Sequence, residues 1–357
     1  MNYYISRNYK GLNSAGNKAK SDIEGIVERT CGFRNAGLPL STYTNTVVHF
    51  VMNLAGVLKA PLCLRKGDVL LLQYPLKKYY AFVCNMAHLR GAKVVTLIHD
   101  LGSFRRKALT VEQEIKRLNH SDFVIAHNDK MKKWLLDNGC KAQLSSLGIF
   151  DYVSKSPLPK NEIFSSDKDG KKEYVVVYAG ALAQRKNAFL YEWGDYISTY
   201  KVALYGSNFD VDSVKGKEHF IYNGFVKSDD FISSVKGHFG LVWDGASMES
   251  CTGNFGEYLK LNNPHKTSFY IRSGLPVIIW RQAALADFVE SHGIGVCIDS
   301  LKDLDKLHER ISVEDYQRMK DNVLRESKLL QEGHYASTAV KEVLDKMDLT
   351  SSMRHPN

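Results

Sequence analysis

Short apolar segments alternate with longer amphipathic segments along most of this chain. In the first half, the pattern predicts strands near 3–6, 68–73, 93–99, 122–126 and 143–147. Between them it predicts helices near 18–29, 46–58, 77–90, 111–119 and 130–138. In the second half, it predicts strands near 174–179, 202–205, 220–222, 239–243, 277–280 and 295–298. Three first-half strands have nearly unbroken apolar cores, which is typical of strands covered by helices on both faces.

The alternation of strands and helices predicts βαβ units on parallel sheets. A polar stretch from Ser154 to Lys172 interrupts it, and we interpret this stretch as an exposed linker between two domains. The expected parts are a first domain at 1–155, a linker at 156–172, a second domain at 173–325 and a helical tail at 326–357 that braces the first domain. The predicted fold class is therefore α/β, with two Rossmann-like, doubly wound domains and a cleft between them.

The composition agrees with a two-domain α/β fold and indicates where in the cell the protein is expected. A chain of 357 residues fits two domains of roughly 150 residues each better than one core. Hydrophobic residues make up 44% and charged residues 24%, which excludes long disordered stretches. No apolar run approaches the ~18 residues of a membrane span, and the first residues lack the pattern of a signal peptide. We expect a cytoplasmic protein, and a peripheral position on the cytoplasmic face of the membrane stays open.

The formal net charge of +9 would suit nucleic acid, anionic lipid headgroups or a phosphorylated small ligand. The Lys and Arg residues form short, separated groups, so they predict no nucleic-acid site and are equally typical of solvated faces. The six cysteines are scattered without a CxxC pair, which favours reduced thiols and no metal site. The Asp-x-Asp triplet from Asp210 to Asp212 resembles a metal motif only superficially, because it follows a loop-forming sequence.

Ligands of open parallel sheets bind beyond the carboxyl ends of the strands, so the loops after the predicted strands are the candidate sites. Gly16 and Lys18 follow the first strand in a loop of small residues that opens a helix, where backbone N–H groups can approach a ligand. His99 and Asp100 follow the apolar run KVVTLI, a position suited to proton transfer or to contacts with substrate hydroxyls. The structural alternatives are an ordinary turn and an N-cap aspartate beside a buried histidine.

The second half has two comparable loops. Gly180 and Arg185 follow its first strand and could meet a diphosphate, although a solvated basic turn has the same composition. Asp244 and Glu249 follow the strand FGLVW, and a predicted helix then starts at Pro264. The first turn of this helix contains Lys266, Thr267 and Ser268. A cation and two hydroxyl groups at a helix start predict a site for a nucleotide diphosphate, and a plain capped helix is the alternative.

Several blocks of the sequence carry a resemblance to a known group of enzymes. They include Cys251–Lys260 (CTGNFGEYLK), Asn262–Ser268 (NNPHKTS), Gly274–Ile278 (GLPVI) and Ala283–Phe288 (AALADF), together with Ile98-His99-Asp100 upstream. Here the chain resembles GT-B glycosyltransferases, and more narrowly the bacterial β-1,6-galactofuranosyltransferases of O-antigen and capsule synthesis. It is similar, more distantly, to the streptococcal glucosyltransferases that extend O-linked GlcNAc on serine-rich adhesins. The match extends over nearly the whole chain.

The resemblance implies a UDP-sugar donor, no metal and no other cofactor. The residues expected to bind the nucleotide are Gly16, Lys18, Gly180, Arg185, Phe225, His265, Lys266, Thr267 and Ser268. Asp244 and Glu249 are expected near the sugar. Many GT-B enzymes have a Glu-x7-Glu pair in this region, but Leu261 and Phe269 occupy the corresponding positions. The segment from Lys266 to Ser268 must therefore carry more of the binding, and a retaining mechanism is not implied.

We therefore expect transfer of a sugar, most specifically galactofuranose, from UDP to a hydroxyl of a glycan acceptor in cell-surface polysaccharide synthesis, with inversion and without a metal. Asp100 or Asp244 is expected to accept the proton, and His99 and Glu249 complete the catalytic candidates. The expected partners are the UDP-sugar and a lipid-linked glycan, without nucleic acid, and a homo-oligomer stays open. The alternatives are a UDP-glucose-dependent hexopyranosyltransferase and a catalytically silent sugar-nucleotide-binding subunit of a transferase complex.

Overall fold

The structure of the protein, a computed structural model, describes residues 1–6, 15–38, 46–76, 79–105, 108–159 and 174–354. Two α/β units make up the chain. The first unit comprises Met1–Asp151 and Glu332–Asn357, and the second comprises Tyr152–Gln331. The predicted linker, 156–172, lies outside the described residues from residue 160 onward.

The described part of each unit forms a six-stranded sheet whose neighbouring strands are all parallel. The strands of the first sheet are β1 Asn2–Tyr4, β2 Arg34–Asn35, β3 Val69–Tyr74, β4 Lys93–Ile98, β5 Phe123–Ala126 and β6 Gln143–Ser146. Those of the second are β7 Tyr174–Ala179, β8 Tyr200–Tyr205, β9 Phe220–Tyr222, β10 Phe239–Val242, β11 Val277–Trp280 and β12 Gly295–Ile298. The strand orders are β2-β1-β3-β4-β5-β6 and β12-β11-β10-β7-β8-β9. These two sheets confirm the predicted fold class of paired Rossmann-like domains.

Helices connect the strands, as parallel pairing requires. In the first half, they are α1 Ala15–Cys31, α2 Thr46–Cys63, α3 Tyr80–Leu89, α4 Gly102–Arg105, α5 Val111–Leu118 and α6 Asp129–Asp137. In the second half, they are α7 Phe189–Trp193, α8 Ser228–Ser234, α9 Gly253–Tyr258, α10 His265–Arg272, α11 Ala286–Ser291, α12 Leu307–Arg310, α13 Val313–Glu332 and α14 His334–Arg354. Within the described residues, short 3₁₀ helices lie at Gly194–Tyr196, Lys217–His219 and Leu301–Lys306.

The apolar segments of the sequence become the buried strands of the two sheets. All six residues of β3 are buried, and so are five of the six residues of β4. Every predicted strand is found, with ends that differ by at most two residues. The two-residue strand β2 was not predicted, because a segment this short has no period to recognise.

The charged segment at the end of the chain is helical as predicted, but a break divides it into α13 and α14. Gly333 at the break has a φ of +82°, and a Cβ atom there would lie 2.5 Å from the Ile26 side chain of α1. The Asp151 carboxylate accepts hydrogen bonds from the backbone N–H groups of Tyr335 (3.2 Å) and Ala336 (2.7 Å). A glycine that tolerates positive φ and a distant capping carboxylate thus start a new helix, and α14 packs against α1 and β6.

Candidate active site

A lysine and an aspartate lie close together at the carboxyl edge of the second sheet. Strand β7 is followed by Gly180, and β10 is followed by Trp243 and then Asp244. The Lys266 Nζ atom, from the first turn of α10, lies 3.7 Å from Asp244 Oδ1 and 4.1 Å from the centroid of the Tyr178 ring. A Cβ atom at Gly180 would lie 3.8 Å from Lys266 Cε. The structure thus brings together three predicted site residues from three separate segments.

Contacts within the second unit explain why α10 begins at this edge. Pro264 directly precedes the helix with a φ of −66°, which suits a helix start. The Tyr270 hydroxyl accepts a 2.7 Å hydrogen bond from the backbone N–H of Ala179 at the end of β7. A Cβ atom at Gly240 of β10 would lie 2.2 Å from the Tyr270 ring, so only glycine allows this approach. The helix is therefore fixed against β7 and β10, and Lys266 is fixed with it.

The charges at this edge are poorly solvated. The side chains of Lys266 and Asp244 are 16% and 15% exposed. Burial lowers the pKa of Lys266, and the Asp244 carboxylate opposes this shift. Burial raises the pKa of Tyr178 and of the Cys251 thiol, so both groups stay protonated near neutral pH. A bound diphosphate would add negative charge beside Lys266 and favour its charged form.

The loop that follows Asp244 is folded tightly on itself. Gly245 has a φ of +121°, and a Cβ atom there would lie 2.5 Å from the carbonyl oxygen of Thr252. A Cβ atom at Gly256 would lie 2.4 Å from the carbonyl carbon of Cys251. Two glycines thus allow the backbone segments to touch, and this close packing fixes the backbone next to Asp244.

The other side chains in the first turn of α10 are less accessible than the sequence suggests. Thr267 and Ser268 are buried, and the Thr267 hydroxyl has no hydrogen-bond partner within the described part of the chain. The His265 ring packs on Tyr152, with centroids 4.9 Å apart. A ligand at this turn would therefore meet the Lys266 ammonium before the hydroxyl groups, and contacts of Thr267 and Ser268 with a diphosphate stay a prediction.

Three further predicted residues lie on exposed loops of the second unit. Arg185 follows β7, and the exposed ring of Phe225 follows β9. Glu249 forms an ion pair with Lys302, which lowers the pKa of the carboxyl group, and accepts a 3.2 Å hydrogen bond from Ser300 Oγ. The structure therefore gives Glu249 a role in joining two loops, and its place near a sugar stays a prediction.

A chain of polar side chains leads to His99 at the carboxyl edge of the first sheet. Ser6 Oγ donates a 2.7 Å hydrogen bond to one oxygen of the buried Glu24 carboxylate, and Gln73 Nε2 donates a 3.0 Å bond to the other. The Gln73 Oε1 atom lies 2.7 Å from His99 Nε2. Because the amide nitrogen of Gln73 is used on Glu24, its oxygen faces His99, and His99 must carry a proton on Nε2. The chain thus fixes the orientation and tautomer of the histidine.

Aromatic packing also holds the His99 ring. The ring stacks on Phe150 with centroids 5.3 Å apart, and the ring of Phe150 lies nearly perpendicular to that of His127, with centroids 4.9 Å apart. Burial lowers the pKa of His127 to about 3, so this neighbouring imidazole is neutral at physiological pH. Asp100, the next predicted catalytic residue, is half-buried beside His99.

The segment directly after Asp100 is anchored by a buried glutamate of α5. The Glu114 carboxylate accepts hydrogen bonds from the Tyr74 hydroxyl (2.8 Å) and from the backbone N–H groups of Gly102 (2.8 Å) and Ser103 (2.7 Å). Asp100 therefore lies between the fixed ring of His99 and a fixed loop, which is the rigid support that a positioned base needs.

Gly16 and Lys18 lie in the first turns of α1. Gly16 is exposed, and a Cβ atom there would meet no described atom within 4 Å. Lys18 forms an ion pair with Asp22 one turn further along the helix. Residues 11–14 of the predicted loop lie outside the described residues. Contacts of Gly16 and Lys18 with a nucleotide stay a prediction.

Family models match both halves of the chain. The model described as "Glucosyltransferase 3-like, N-terminal domain" matches residues 2–149, and "Glucosyltransferase 3-like, C-terminal domain" matches residues 176–343. The chain belongs to the glucosyltransferase 3-like family.

Known relatives of this glucosyltransferase 3-like protein extend over most of its length. The "Beta-1,6-galactofuranosyltransferase WbbI" of Escherichia coli K12 is 30% identical over 347 residues, which are 97% of this chain and 99% of the relative. "Glucosyltransferase 3" of Streptococcus gordonii is 28% identical over 291 residues, covering 78% of this chain and 80% of the relative. These relatives confirm the resemblance found in the sequence, and they show that the protein is a glycosyltransferase.

Solved structures support the GT-B fold of the glucosyltransferase 3-like protein. Sucrose-phosphate synthase from Thermosynechococcus elongatus superposes with a TM-score of 0.57 at 14% identity, covering 98% of this chain and 99% of that structure. The N-terminal domain of Candida albicans trehalose-6-phosphate phosphatase gives a TM-score of 0.53 at 8% identity, covering 96% of both chains. At these identities, the likeness concerns the fold alone, and it agrees with the two Rossmann-like sheets.

The Asp-x-Asp triplet of this glucosyltransferase 3-like protein forms a turn. The Asp210 carboxylate accepts hydrogen bonds from the backbone N–H of Asp212 (3.2 Å) and from Ser213 Oγ (2.6 Å). Within the described ranges, no group of three or more His, Cys, Asp or Glu residues is arranged to hold a metal ion. Among the same residues, no helix has the length and apolar character needed to cross a membrane.

The structure adds positioning residues that the sequence analysis did not single out. Gln73, Glu24 and Glu114 support His99 and Asp100, and Tyr178 supports Lys266. One signal was available for Gln73, since it is a polar residue inside the apolar run of a buried strand. Glu24 and Glu114 lie on amphipathic helices, and the sequence of such a helix does not distinguish a buried carboxylate from a solvated one.

Proposed function

We propose that this glucosyltransferase 3-like protein transfers galactofuranose from UDP-galactofuranose to a hydroxyl of a lipid-linked glycan, with inversion at the anomeric carbon. The proposal depends most on the position of the Lys266 ammonium beside Asp244 and Gly180, at the start of α10. Nucleotides bind at the carboxyl edges of parallel sheets, and helix N-termini favour phosphate. Lys266 lies where both conditions meet.

The donor side of the proposed reaction rests on positive charge. Lys266 and the N-terminus of α10 would stabilise the charge that develops on UDP as it leaves, and Arg185 on the loop after β7 could add to it. Low solvation strengthens such an interaction, because the attraction between two charges increases as the effective dielectric constant falls below that of water. The exposed ring of Phe225 offers an apolar surface to the uridine.

The acceptor side requires a base. The acceptor oxygen attacks the anomeric carbon, the bond from that carbon to the UDP oxygen breaks, and the proton of the acceptor hydroxyl passes to a carboxylate. An α-linked donor then gives a β-linked product. Asp244 is already paired with the Lys266 ammonium, at the place proposed for the diphosphate. Asp100, fixed between His99 and the Glu114-anchored loop, is the proposed base.

The choice of sugar follows the relatives. The Escherichia coli relative named as a galactofuranosyltransferase aligns with 97% of this chain at 30% identity. The family name and the Streptococcus gordonii relative named "Glucosyltransferase 3" favour UDP-glucose as the second candidate donor. Furanose and pyranose donors share the same UDP group, so Lys266 would bind both equally.

A donor screen tests the proposed function. Purified protein is incubated in EDTA with UDP-galactofuranose, UDP-glucose or UDP-galactose, with and without a synthetic glycoside acceptor. We expect UDP release only from UDP-galactofuranose and only with acceptor, because attack requires both substrates and Lys266 supplies the charge that a metal would supply elsewhere. Release from UDP-glucose alone would favour the second candidate. UDP binding without release from any donor would indicate a silent subunit, and activity restored only by Mg²⁺ or Mn²⁺ would contradict metal independence.

Gln73→Leu is expected to lower turnover by roughly 10- to 100-fold, by analogy with the hydrogen-bond partners that orient metal-bound histidines. The substitution keeps the volume but removes the acceptor of the His99 Nε2 proton. Because the His99 ring then loses the partner that fixes its orientation, the loss should appear in kcat, with little change in the KM of the donor. Steady-state kinetics measure kcat and KM separately.

Asn85→Leu is the matched control for Gln73→Leu. The Asn85 side chain makes the same type of contact, 2.9 Å from His120 Nδ1, on the exposed surface. Its loss should leave both kcat and KM unchanged. If Gln73→Leu kept the wild-type kcat, or if both variants lost activity in parallel with stability, the positioning role would be wrong.

A further inference from the structure

Helix α2 has an apolar face that the described residues of the first unit leave exposed. Val51, Leu58 and Leu62 are 53%, 47% and 67% exposed and lie on one side of the helix, because their spacing of seven and four residues follows its turns. This stripe is about 16 Å long at ~1.5 Å per residue. The opposite side, with Val57 and Ala60, is buried. An amphipathic surface helix would have polar residues where this stripe lies.

The neighbouring helix extends the apolar surface. Helix α3 packs against α2, and it exposes Phe82 and Leu89, seven residues apart on its own face. The side chain of Arg90 donates hydrogen bonds to the carbonyl oxygens of Leu62 and Leu64, each at 3.2 Å. Leu89, which is 79% exposed, and Leu62 therefore belong to the same corner of the unit. We call the exposed apolar residues Val51, Leu58, Leu62, Phe82 and Leu89 the α2–α3 face.

Within residues 46–67 and 79–99, the Lys and Arg side chains are not balanced by any Asp or Glu of the same segments, and the carboxylate of Asp122 lies beside His88 of α3. The sequence contains no Asp or Glu from Thr46 to Gly67 or from Tyr79 to His99. The cations of this region are Lys59, Arg65, Lys66, Arg90 and Lys93. Among the described residues, only Lys93 of this set is paired with a carboxylate, that of Asp122. The Lys59 ammonium and the Arg90 guanidinium bond to backbone carbonyl oxygens, which leave their charges unneutralised.

We propose that the α2–α3 face docks the protein on an anionic phospholipid bilayer. Exposed apolar side chains flanked by an excess of cations over carboxylates are typical of surfaces that lie in the bilayer interface. The apolar stripe would enter the acyl boundary, and Lys59, Arg65, Lys66 and Arg90 would meet the phosphate groups of the lipids. Because α2 connects the parallel strands β2 and β3, its first turn lies towards the carboxyl edge that carries His99 and Asp100. The inference goes beyond the proposed function and involves none of the nucleotide-binding residues.

Vesicle co-sedimentation tests this inference. Full-length protein is mixed with vesicles of phosphatidylcholine alone or of phosphatidylcholine and phosphatidylglycerol at 3:1, at low and high salt. We expect binding to the anionic vesicles that weakens as salt screens the cations. The variant Arg65→Gln/Lys66→Gln should bind roughly 25-fold more weakly, at about fivefold per cation. The variant Val51→Ser/Leu58→Ser/Leu62→Ser should bind at least tenfold more weakly.

Control variants and a second measurement distinguish the outcomes. Leu136→Ser/Leu324→Ser removes two exposed leucines elsewhere, on α6 and α13, and should bind vesicles as the wild type does. UDP affinity, measured by calorimetry, should be unchanged in all these variants. The two measurements therefore distinguish a loss of nucleotide binding from a loss of membrane docking. Absent vesicle binding by the wild type would overturn the proposal. It would also be overturned if light scattering showed a dimer that only the triple serine variant dissociates, because a second copy would then cover the face.

Discussion

Lys266→Met is expected to weaken UDP binding roughly 10- to 100-fold, because a hydrogen bond to a charged group contributes ~1.5–3 kcal/mol. Methionine keeps most of the side-chain packing on the Tyr178 ring but removes the ammonium group. It also leaves the Asp244 carboxylate, only 15% exposed, without its cation and facing the diphosphate. Isothermal titration calorimetry with UDP measures the change.

Lys260→Met is the matched control for the lysine substitution. The Lys260 ammonium likewise lies over an aromatic ring, 5.4 Å from the centroid of Trp280, and beside a carboxylate, 2.7 Å from Glu257 Oε2, but it is more exposed. Its removal should leave UDP affinity unchanged. The double variant Lys266→Met/Asp244→Asn distinguishes binding of the diphosphate by Lys266 from repulsion of the diphosphate by Asp244. If the additional Asn restores UDP affinity, Lys266 acts mainly by neutralising the Asp244 carboxylate.

The pH dependence of UDP binding should follow the protonation of Lys266. Burial lowers the pKa of Lys266, and binding requires its charged form, so wild-type affinity should begin to fall at a lower pH than for an exposed lysine. This alkaline loss should be absent in Lys266→Met. If the single variant bound UDP as the wild type does, the diphosphate would lie elsewhere and the proposed donor site would be wrong.

Asp100→Asn is expected to reduce turnover by about 10²–10⁴-fold while leaving UDP affinity unchanged, because a positioned base contributes that factor to the rate. Asparagine has nearly the same shape and cannot accept the proton of the acceptor hydroxyl. The hydrogen bonds of Glu114 to Gly102 and Ser103, which fix the following loop, do not involve the Asp100 side chain. Single-turnover kinetics with saturating donor measure the chemical step.

Asp244→Asn is the comparison that decides between the two candidate bases. We expect it to change UDP affinity more than the chemical step, because the Asp244 carboxylate lies 3.7 Å from the Lys266 ammonium. Full activity of Asp100→Asn, together with a large loss of turnover at unchanged UDP affinity in Asp244→Asn, would assign the base to Asp244. Thermal unfolding of both variants shows whether either loss reflects stability.

The elements of both sheets could be read from the sequence because their signals are local. Strands such as Lys93–Ile98 and Tyr174–Ala179 are continuous apolar runs, and the helices between them have the period of a helical face. The start of α10 was also predicted, since Pro264 followed by a basic residue marks a helix N-terminus within a few positions. The break at Gly333 was missed, because the deciding contact with Ile26 comes from the opposite end of the chain.

The sequence by itself determined two α/β halves, the family to which they belong and the short segments most suited to bind a nucleotide. Only the tertiary structure decided which of those segments meet. Gly180 lies beside Lys266 and Asp244 because β7 and β10 are neighbours in the second sheet, and Glu24 reaches His99 through Gln73 because β3 and β4 are neighbours in the first. Residue periodicity is a local property, whereas strand order and the approach of distant side chains depend on how the whole chain packs. The exposed face of α2 has the same origin, because a helix that is apolar on all sides does not specify which side the core will cover.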